Sequence, residues 1–314
     1  MEPVDILCVG DALVDIFLFL KNPDEHCHEA EKGKEFCFNV GAKIPVTDAE
    51  FCLGGNACNV SVGLSRLGLK SAIVAETGDD IFAQKIITGL QEEHVSLDLF
   101  KQTPDTPATF SINIVFMQDR TILSRHVRRE HAISFASAQA QWVYLTSLGD
   151  EWELLYQSVL SYISEKNIKL AFNPGSKQLQ AGRNSFMNIL ERTDLLFVNK
   201  EEAEKILFGK EEEKTIDALL IALQKLGPKI VSITDGANGS YALDEQGRMY
   251  KQAIIPGKFV QKTGVGDAYA SGFLGSLFYN GSIIQQAMRW GAKNASSVVG
   301  HMGAQGGLLR KEEL

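Results

Sequence analysis

Hydrophobic and polar positions along this chain switch between two periods. Asp5–Gly10 is a short apolar run that predicts a buried first strand ending at Gly10-Asp11. Ser71–Glu76, Trp142–Thr146, Lys169–Asn173, Leu195–Asn199 and Ile230–Thr234 have the same length and character. Helical periodicity fills the gaps. Gly54-Gly55-Asn56 opens an amphipathic helix through Leu67, with Val60, Leu64 and Leu67 at helical spacing and Gly68 as its stop. Asp79–Glu93, Glu151–Lys166, Ser185–Thr193 and Thr215–Leu226 read as further helices. This alternation predicts an open, mostly parallel sheet with helices on both faces.

Two regions depart from it. Thr109–Met117 and Arg120–His126 alternate as a hairpin around Gln118-Asp119, and the irregular stretch after Asp15 suggests short strands and loops. Residues near 16–51 and 105–127 therefore predict a small β-sheet over the strand ends, placed to act as a lid. Ser240–Leu243 and Met249–Ile254 read as a second hairpin. A strand-like run, Ala253–Val260, leads to Thr263–Asp267 and the apolar segment behind it. Ser282–Trp290 and Gly291–Gly300 read as two last helices. With no repeat or linker, residues 1–314 are expected to form a single α/β domain carrying the lid.

Composition narrows the function. The chain is 45% hydrophobic and 22% charged, with a net charge of −8, as in an ordinary globular protein. The acidic balance and the lack of a lysine/arginine block argue against nucleic acid as a partner. No uncharged stretch is long enough to span a bilayer, and Val4–Leu20 carries Asp5, Asp11 and Asp15 without a basic start. A cytoplasmic protein without a membrane partner is expected. The five cysteines lie in the first sixty residues and are expected as free thiols. His26-Cys27-His28 with Cys37 matches no common zinc spacing and reads as a solvated loop.

Candidate chemistry gathers at the carboxyl ends of the predicted strands, where open parallel sheets bind ligands. Gly10-Asp11…Asp15, Asn173-Pro174-Gly175, Asn199…Glu202, Thr234-Asp235-Gly236 and Thr263-Gly264-Val265-Gly266-Asp267 all fall there. The last is a glycine turn at a helix start, with unpaired N–H groups beside the positive end of the helix dipole. Asp267 would repel an anion bound there, unless it takes a proton as phosphate is transferred. The plain alternatives are that Asp267, Asp11 and Asn199 cap helices and that Gly236 and Gly239 shape a turn. Gly63-x-x-x-x-Gly68-Leu69-Lys70-Ser71 is a decoy for a phosphate loop. Leu69 stands where lysine belongs, and Gly63 lies inside the predicted helix.

Four motifs, in order over nearly the whole chain, resemble the PfkB/ribokinase family of sugar and nucleoside kinases. Gly54-Gly55-Asn56-Ala57-Cys58-Asn59-Val60 through Arg66-Leu67-Gly68 resembles its first signature, and Thr263–Tyr269 its second. Val198–Glu202 is similar to its Asn-x-x-Glu motif, and Thr234–Gly239 to its Thr-x-Gly-x-x-Gly turn. The resemblance implies a ribokinase-like fold and transfer of the γ-phosphoryl group of ATP, with Mg2+, to a hydroxymethyl group of a small sugar. A nucleoside such as adenosine is the second acceptor. Leu13, Phe17 and Phe19 could floor a base pocket, though core packing is their simpler role. A catalytically silent sugar- or nucleotide-binding relative is the alternative from another class.

Residue by residue, the resemblance implies Asp267 as base and the N–H groups of Gly264, Val265 and Gly266 as stabilisers of transferring charge. Asp11, Asp15, Gly55 and Asn59 would bind the acceptor. Asn199, Glu202, Thr234, Gly236, Gly239, Thr263 and Asn294 would serve ATP, with Glu202 holding magnesium through water. Two departures stand out. Where the second signature often begins Asp-Thr, this chain has Gln261-Lys262. That aspartate helps bind potassium in cation-activated members. Neutral Gln261 argues against potassium activation, and the Lys262 ammonium is the candidate replacement charge. The segment Phe17–Phe51 matches no family motif. Arg120, Arg125, Arg128 and Arg129 could bind a phosphorylated substrate, but a solvated face is the expected role. Exposed lid strands offer edges for a homodimer.

Overall fold

A computed structural model describes residues 2–20, 27–30, 35–116 and 119–314. Nine strands form the main sheet, in the order β15 (Met249–Gln252), β14 (Ser240–Leu243), β13 (Ile230–Thr234), β12 (Leu195–Asn199), β11 (Lys169–Phe172), β10 (Ala140–Leu145), β1 (Val4–Val9), β6 (Ser71–Thr77), β7 (Ser96–Gln102). From β13 to β7 every pairing is parallel; β14 and β15 add an antiparallel edge. The six apolar runs read from the sequence are β1, β6, β10, β11, β12 and β13, buried because helices cover both faces.

One core packs α1 (Asn56–Arg66), α2 (Ile81–Glu92), α8 (Val265–Asn280) and α9 (Ile284–Val299) against one face. The other packs α3 (Trp152–Lys166), α5 (Met187–Arg192), α6 (Lys200–Phe208) and α7 (Ile216–Gln224), with the short α4 (Ser176–Ala181) nearby.

A four-stranded sheet, β5 (Val46–Gly54), β2 (Leu13–Leu20), β8 (Phe110–Phe116), β9 (Asp119–Arg125), stands apart, beside a hairpin of β3 (Cys27–Ala30) and β4 (Glu35–Phe38). β2 pairs with β8 in parallel, which sets Asp15 opposite Ser111. The expected turn residue Gln118 and the His26 of the histidine–cysteine tract lie outside the described residues. The backbones of Cys27 and His28 pair with Phe38 and Cys37. Cys8, Cys37, Cys52 and Cys58 are free thiols.

Two sequence expectations are corrected. Ala253–Val260 forms no strand beyond the end of β15 at Gln252; Pro256-Gly257 ends pairing, and the segment crosses to α8 as a loop. The two last helices are one, α9, running through Gly291. That glycine brings α9 against α8, because a Cβ there would lie 2.8 Å from Tyr269; it marks close packing, not a helix end. The edge strand β7 and the helix α4 were not legible: β7 is half-buried and has no continuous apolar run. Gly63 lies inside α1 against Ser271, so the decoy is no loop. No helix among the described residues is long and apolar enough to cross a membrane.

Candidate active site

A cleft of about 1550 Å³ runs along the carboxyl ends of the main sheet and under the small one. That exceeds the several hundred cubic ångströms usual for one small ligand, and leaves room for two. α8 points its N-terminus into it. Gly264 caps this helix at φ +74, a left-handed conformation that a side chain would strain, and a Cβ there would press into Ala304. The first intrahelical bond runs from Ala268 N to Gly264 O at 2.8 Å. The amides of Val265, Gly266 and Asp267 therefore lack helical acceptors, and a Cβ on Gly266 would meet open space. Together they form an open anion nest at the positive end of a helix dipole. Beside it, Thr263 Oγ1 is buried without a hydrogen-bond partner.

Asp267 sits in the first turn of α8 and is 7% exposed. Burial pushes its carboxyl up to about 7; the Asn59 hydrogen bond opposes this, and the charges of Glu202 and Asp15 add to it. Asn59, on α1, donates from Nδ2 to Asp267 Oδ2 at 2.8 Å. Asp15, on β2, accepts from Ser111 Oγ and from Asn113 Nδ2 (3.3 Å), both on β8. Burial raises its pKa and these donors pull it back. Asp11 follows β1. Burial pushes it up to about 7 against a Gly149 backbone bond, the Arg129 charge and Ser147. Gly55, the N-cap of α1, faces the Asp11 backbone at φ +92.

At the other end, Asn199 and Glu202 cap α6 reciprocally. Asn199 Oδ1 accepts from Glu202 N at 2.8 Å, and Glu202 Oε2 accepts from Asn199 N at 2.9 Å. The cap expected as the plain alternative is real, and both residues line the cleft as well. Burial raises the Glu202 pKa. Thr234 is paired with Asn199 in register, and the turn through Gly236 and Gly239 follows it along the wall.

A protein-family comparison matches residues 6–311 to the pfkB family of carbohydrate kinases. The chain belongs to that family. It is a phosphotransferase that acts on an alcohol group. A 5-dehydro-2-deoxygluconokinase of Clostridium tetani is 23% identical, covering 100% of this chain and 92% of that protein. A nucleoside kinase of Methanocaldococcus jannaschii is 25% identical over 96% of this chain and 92% of that protein. The crystal structure of a Methanocaldococcus jannaschii nucleoside kinase superposes with TM-score 0.77 at 21% identity, over 99% and 97% of the two chains. Ribokinase of Thermotoga maritima gives 0.78 at 19%, with the same coverage. The fold of this pfkB kinase is thus ribokinase-like.

Among the described residues, no three His, Cys, Asp or Glu side chains cluster so as to hold a metal by themselves. The donor set of this kinase suits magnesium that keeps water and phosphate ligands, with Glu202 as an outer carboxylate. The unpaired α8 amides and the orphaned Thr263 hydroxyl suit the phosphates of ATP.

Asn294, expected at the ATP site, is completely buried behind the cleft, where Nδ2 donates to Ala268 O (2.9 Å) and Ser271 Oγ (3.1 Å), and Oδ1 accepts from Leu309 N (2.8 Å). It ties α9 to α8 and to the C-terminal loop. The neighbouring Ala292, Ala295, Ser296 and Val299 line the cleft instead, since a helix turns adjacent residues to different directions.

Gln261 is 8% exposed. Its Nε2 lies 3.2 Å from Thr263 O and 3.1 Å from both His301 O and Gly303 O, while Oε1 accepts from Thr263 N. The amide, not the exposed Lys262, fills the space between these carbonyls.

None of the four arginines lines the cleft. Arg129 is buried on Pro107 O, Arg128 pairs with Glu151, and Arg125 lies over Phe110. Phe17 is fully buried, whereas Leu13 faces the cleft. Sequence reading missed Ser111 and Asn113. The signal was two polar residues at i and i+2 in an apolar strand, which places them on one face.

Proposed function

We propose that this pfkB kinase transfers the γ-phosphoryl group of Mg-ATP to a hydroxymethyl group of a small, polyhydroxylated sugar. The observation that carries this is the polar lining beside Asp267. Asp11, Asp15, Asn59, Ser111 and Asn113 converge there, and among the described residues the small sheet adds only Leu13 and Ile122 as apolar lining. Carboxylates and amides match hydroxyl groups. A nucleobase calls for an apolar slot, and the buried Phe17 does not supply one.

Asp267 is the general base. Its carboxylate takes the proton of the acceptor hydroxyl as that oxygen attacks. The open amides of Val265 and Gly266, with that of the cap residue Gly264, stabilise charge on the transferring group, and the helix start holds them in place so that no reorganisation is needed at that moment. Thr263 Oγ1 is free to donate to a phosphate oxygen. Asn199 and Glu202, rigid through their mutual cap, would hold magnesium through its water ligands, and the ion would neutralise charge on the phosphates. Thr234, Gly236 and Gly239 would line the nucleotide, and the 253–259 loop with the Ala295–Val299 face of α9 would flank its base. The small sheet is the lid of a single-domain enzyme, bringing Asp15 over the acceptor. The exposed Phe51, on edge strand β5, and Ile122 and Leu123, on edge strand β9, suit a homodimer through that lid.

Incubating the protein with labelled Mg-ATP and a panel of pentoses, hexoses, sugar acids and nucleosides tests the proposal. Phosphorylation of a neutral sugar is the expected result. Preference for a nucleoside would overturn the acceptor, and binding without any phosphorylated product would indicate a silent relative.

A further inference from the structure

Among the described residues, Asn59 is the one side chain that donates a hydrogen bond to Asp267. The other groups acting on this carboxylate are Asp15 from β2 and Glu202 from α6, both of which raise its affinity for a proton. The Cys58 thiol from α1, pushed up to about 12, and the buried Tyr144 phenol from β10 stay neutral and do not offset them. The state of Asp267 therefore depends on which end of the Asn59 amide faces it. With NH2 toward the carboxylate, Asn59 favours the ionised base. Reversed, its carbonyl oxygen would face the carboxylate and repel it.

The other end of that amide is held. Gln305, in the loop after α9, donates from Nε2 to Asn59 Oδ1 at 3.0 Å, and the same nitrogen lies 3.4 Å from Cys58 Sγ. The Gln305 backbone is itself anchored. Its carbonyl accepts from Arg66 Nη1 at 2.6 Å, and Arg66 also reaches Leu308 O at 3.2 Å. The Arg66 guanidinium is clamped by Glu93 through two bonds of 2.9 and 2.6 Å. A continuous polar line thus runs from the end of α2 through Arg66, Gln305 and Asn59 to Asp267.

We propose that Gln305 is a positioning residue that fixes the Asn59 amide with its NH2 turned to Asp267, and so keeps the base ready for the acceptor proton. The inference rests on Asp267 being the general base, but its geometric content stands apart from any acceptor. Donation into Asn59 Oδ1 excludes the reversed amide, which would bring two NH2 groups together, and polarises Asn59 to donate more strongly. A residue that only packs the loop would do neither.

The test is a 13C NMR pH titration of the full chain labelled at the aspartate side-chain carboxyl carbon, with the Asp267 signal identified by its loss in Asp267→Asn. Gln305→Met keeps length and volume but removes the donor, and should raise the Asp267 midpoint by about half to one pH unit. Asn59→Ala should raise it at least as far, and adding Gln305→Met to Asn59→Ala should move it no further. Gln305→Ala serves as a second variant if Met disturbs the loop. An unchanged midpoint in both Gln305 variants overturns the proposal, as does a shift that persists without Asn59. Failure to find a phosphorylated acceptor would bear on the kinase reading and leave this titration interpretable.

Discussion

Asn59 Nδ2 lies 2.8 Å from Asp267 Oδ2, joining two signatures 208 residues apart. Neither residue makes a site alone. On α1, Asn59 is a buried amide at 4% exposure; on α8, Asp267 is a buried carboxylate that desolvation drives toward neutrality. Their contact holds an ionisable carboxylate at the open N-terminus of α8.

Asp267→Asn should lower kcat by about two orders of magnitude or more, the usual range for a lost general base, while ATP binding persists. Steady-state kinetics with the acceptor found in the panel, alongside nucleotide titration, checks both halves. Near-wild-type turnover would remove Asp267 from its role.

Activity should rise with pH through about 7, because the base works only when ionised and its pKa is raised to about that value. Asp11, raised to about 7 as well, should steepen the same limb. Stability has the opposite sign. A carboxyl that binds its proton more tightly folded than unfolded costs stability as pH climbs from 3.8 to about 7. Asp267→Asn should therefore stabilise the fold at pH 8, by up to ~4 kcal/mol, and not near pH 3.5. Denaturant midpoints at the two pH values decide it.

Potassium should not activate this kinase, because the Gln261 amide already bridges the carbonyls of Thr263, His301 and Gly303. Rates in potassium chloride and in a large organic cation chloride should agree; strong activation by potassium would refute the inference. Gln261→Ala should loosen the loop that carries the anion nest and lower kcat by roughly 10- to 100-fold.

Two glycines of the same turn should fail differently. Gly264→Ala forces a side chain into a left-handed backbone and against Ala304, so it should cost about 1–3 kcal/mol of stability. Gly266→Ala meets open space within the protein. It should melt normally and raise KM for ATP by intruding on the phosphate position. Melting curves beside ATP kinetics separate the two.

Asn294→Ala should destabilise by about 1–3 kcal/mol, since it removes a buried bond to Ala268 O, which keeps Ser271 Oγ as a donor, and leaves the half-buried Leu309 amide without its acceptor. Its KM for ATP, measured well below the melting transition, should stay at the parental value. A large rise would restore Asn294 to the nucleotide site.

Much of the frame was legible in the chain. β12 and β13 run from Leu195 to Asn199 and from Ile230 to Thr234, where the apolar runs placed them, because strands buried on both faces have little else in their composition. The helix opened by Gly54-Gly55-Asn56 appeared in place, since amphipathic spacing and a glycine stop are local signals. The loop before Gly264 and the continuity of α9 were not legible. A glycine or proline announces a break equally whether it ends an element, as at Pro256-Gly257, or admits a neighbour, as at Gly291 against Tyr269.

What the sequence determined by itself was the alternation of the buried central strands with the helices between them, and which motifs stand at strand ends, because periodicity and turn chemistry are written in neighbouring residues. What tertiary structure alone decided was which side chains meet. The approach of α1 to α8 put Asn59 on Asp267, and the parallel pairing of β2 with β8 put Ser111 and Asn113 on Asp15. The loop after α9 brought Gln305 to Asn59 and carbonyls to Gln261. Asn294 was turned inward by the same packing. Such contacts depend on the rotation of each helix about its axis and on where a distant loop returns, and no local pattern encodes either.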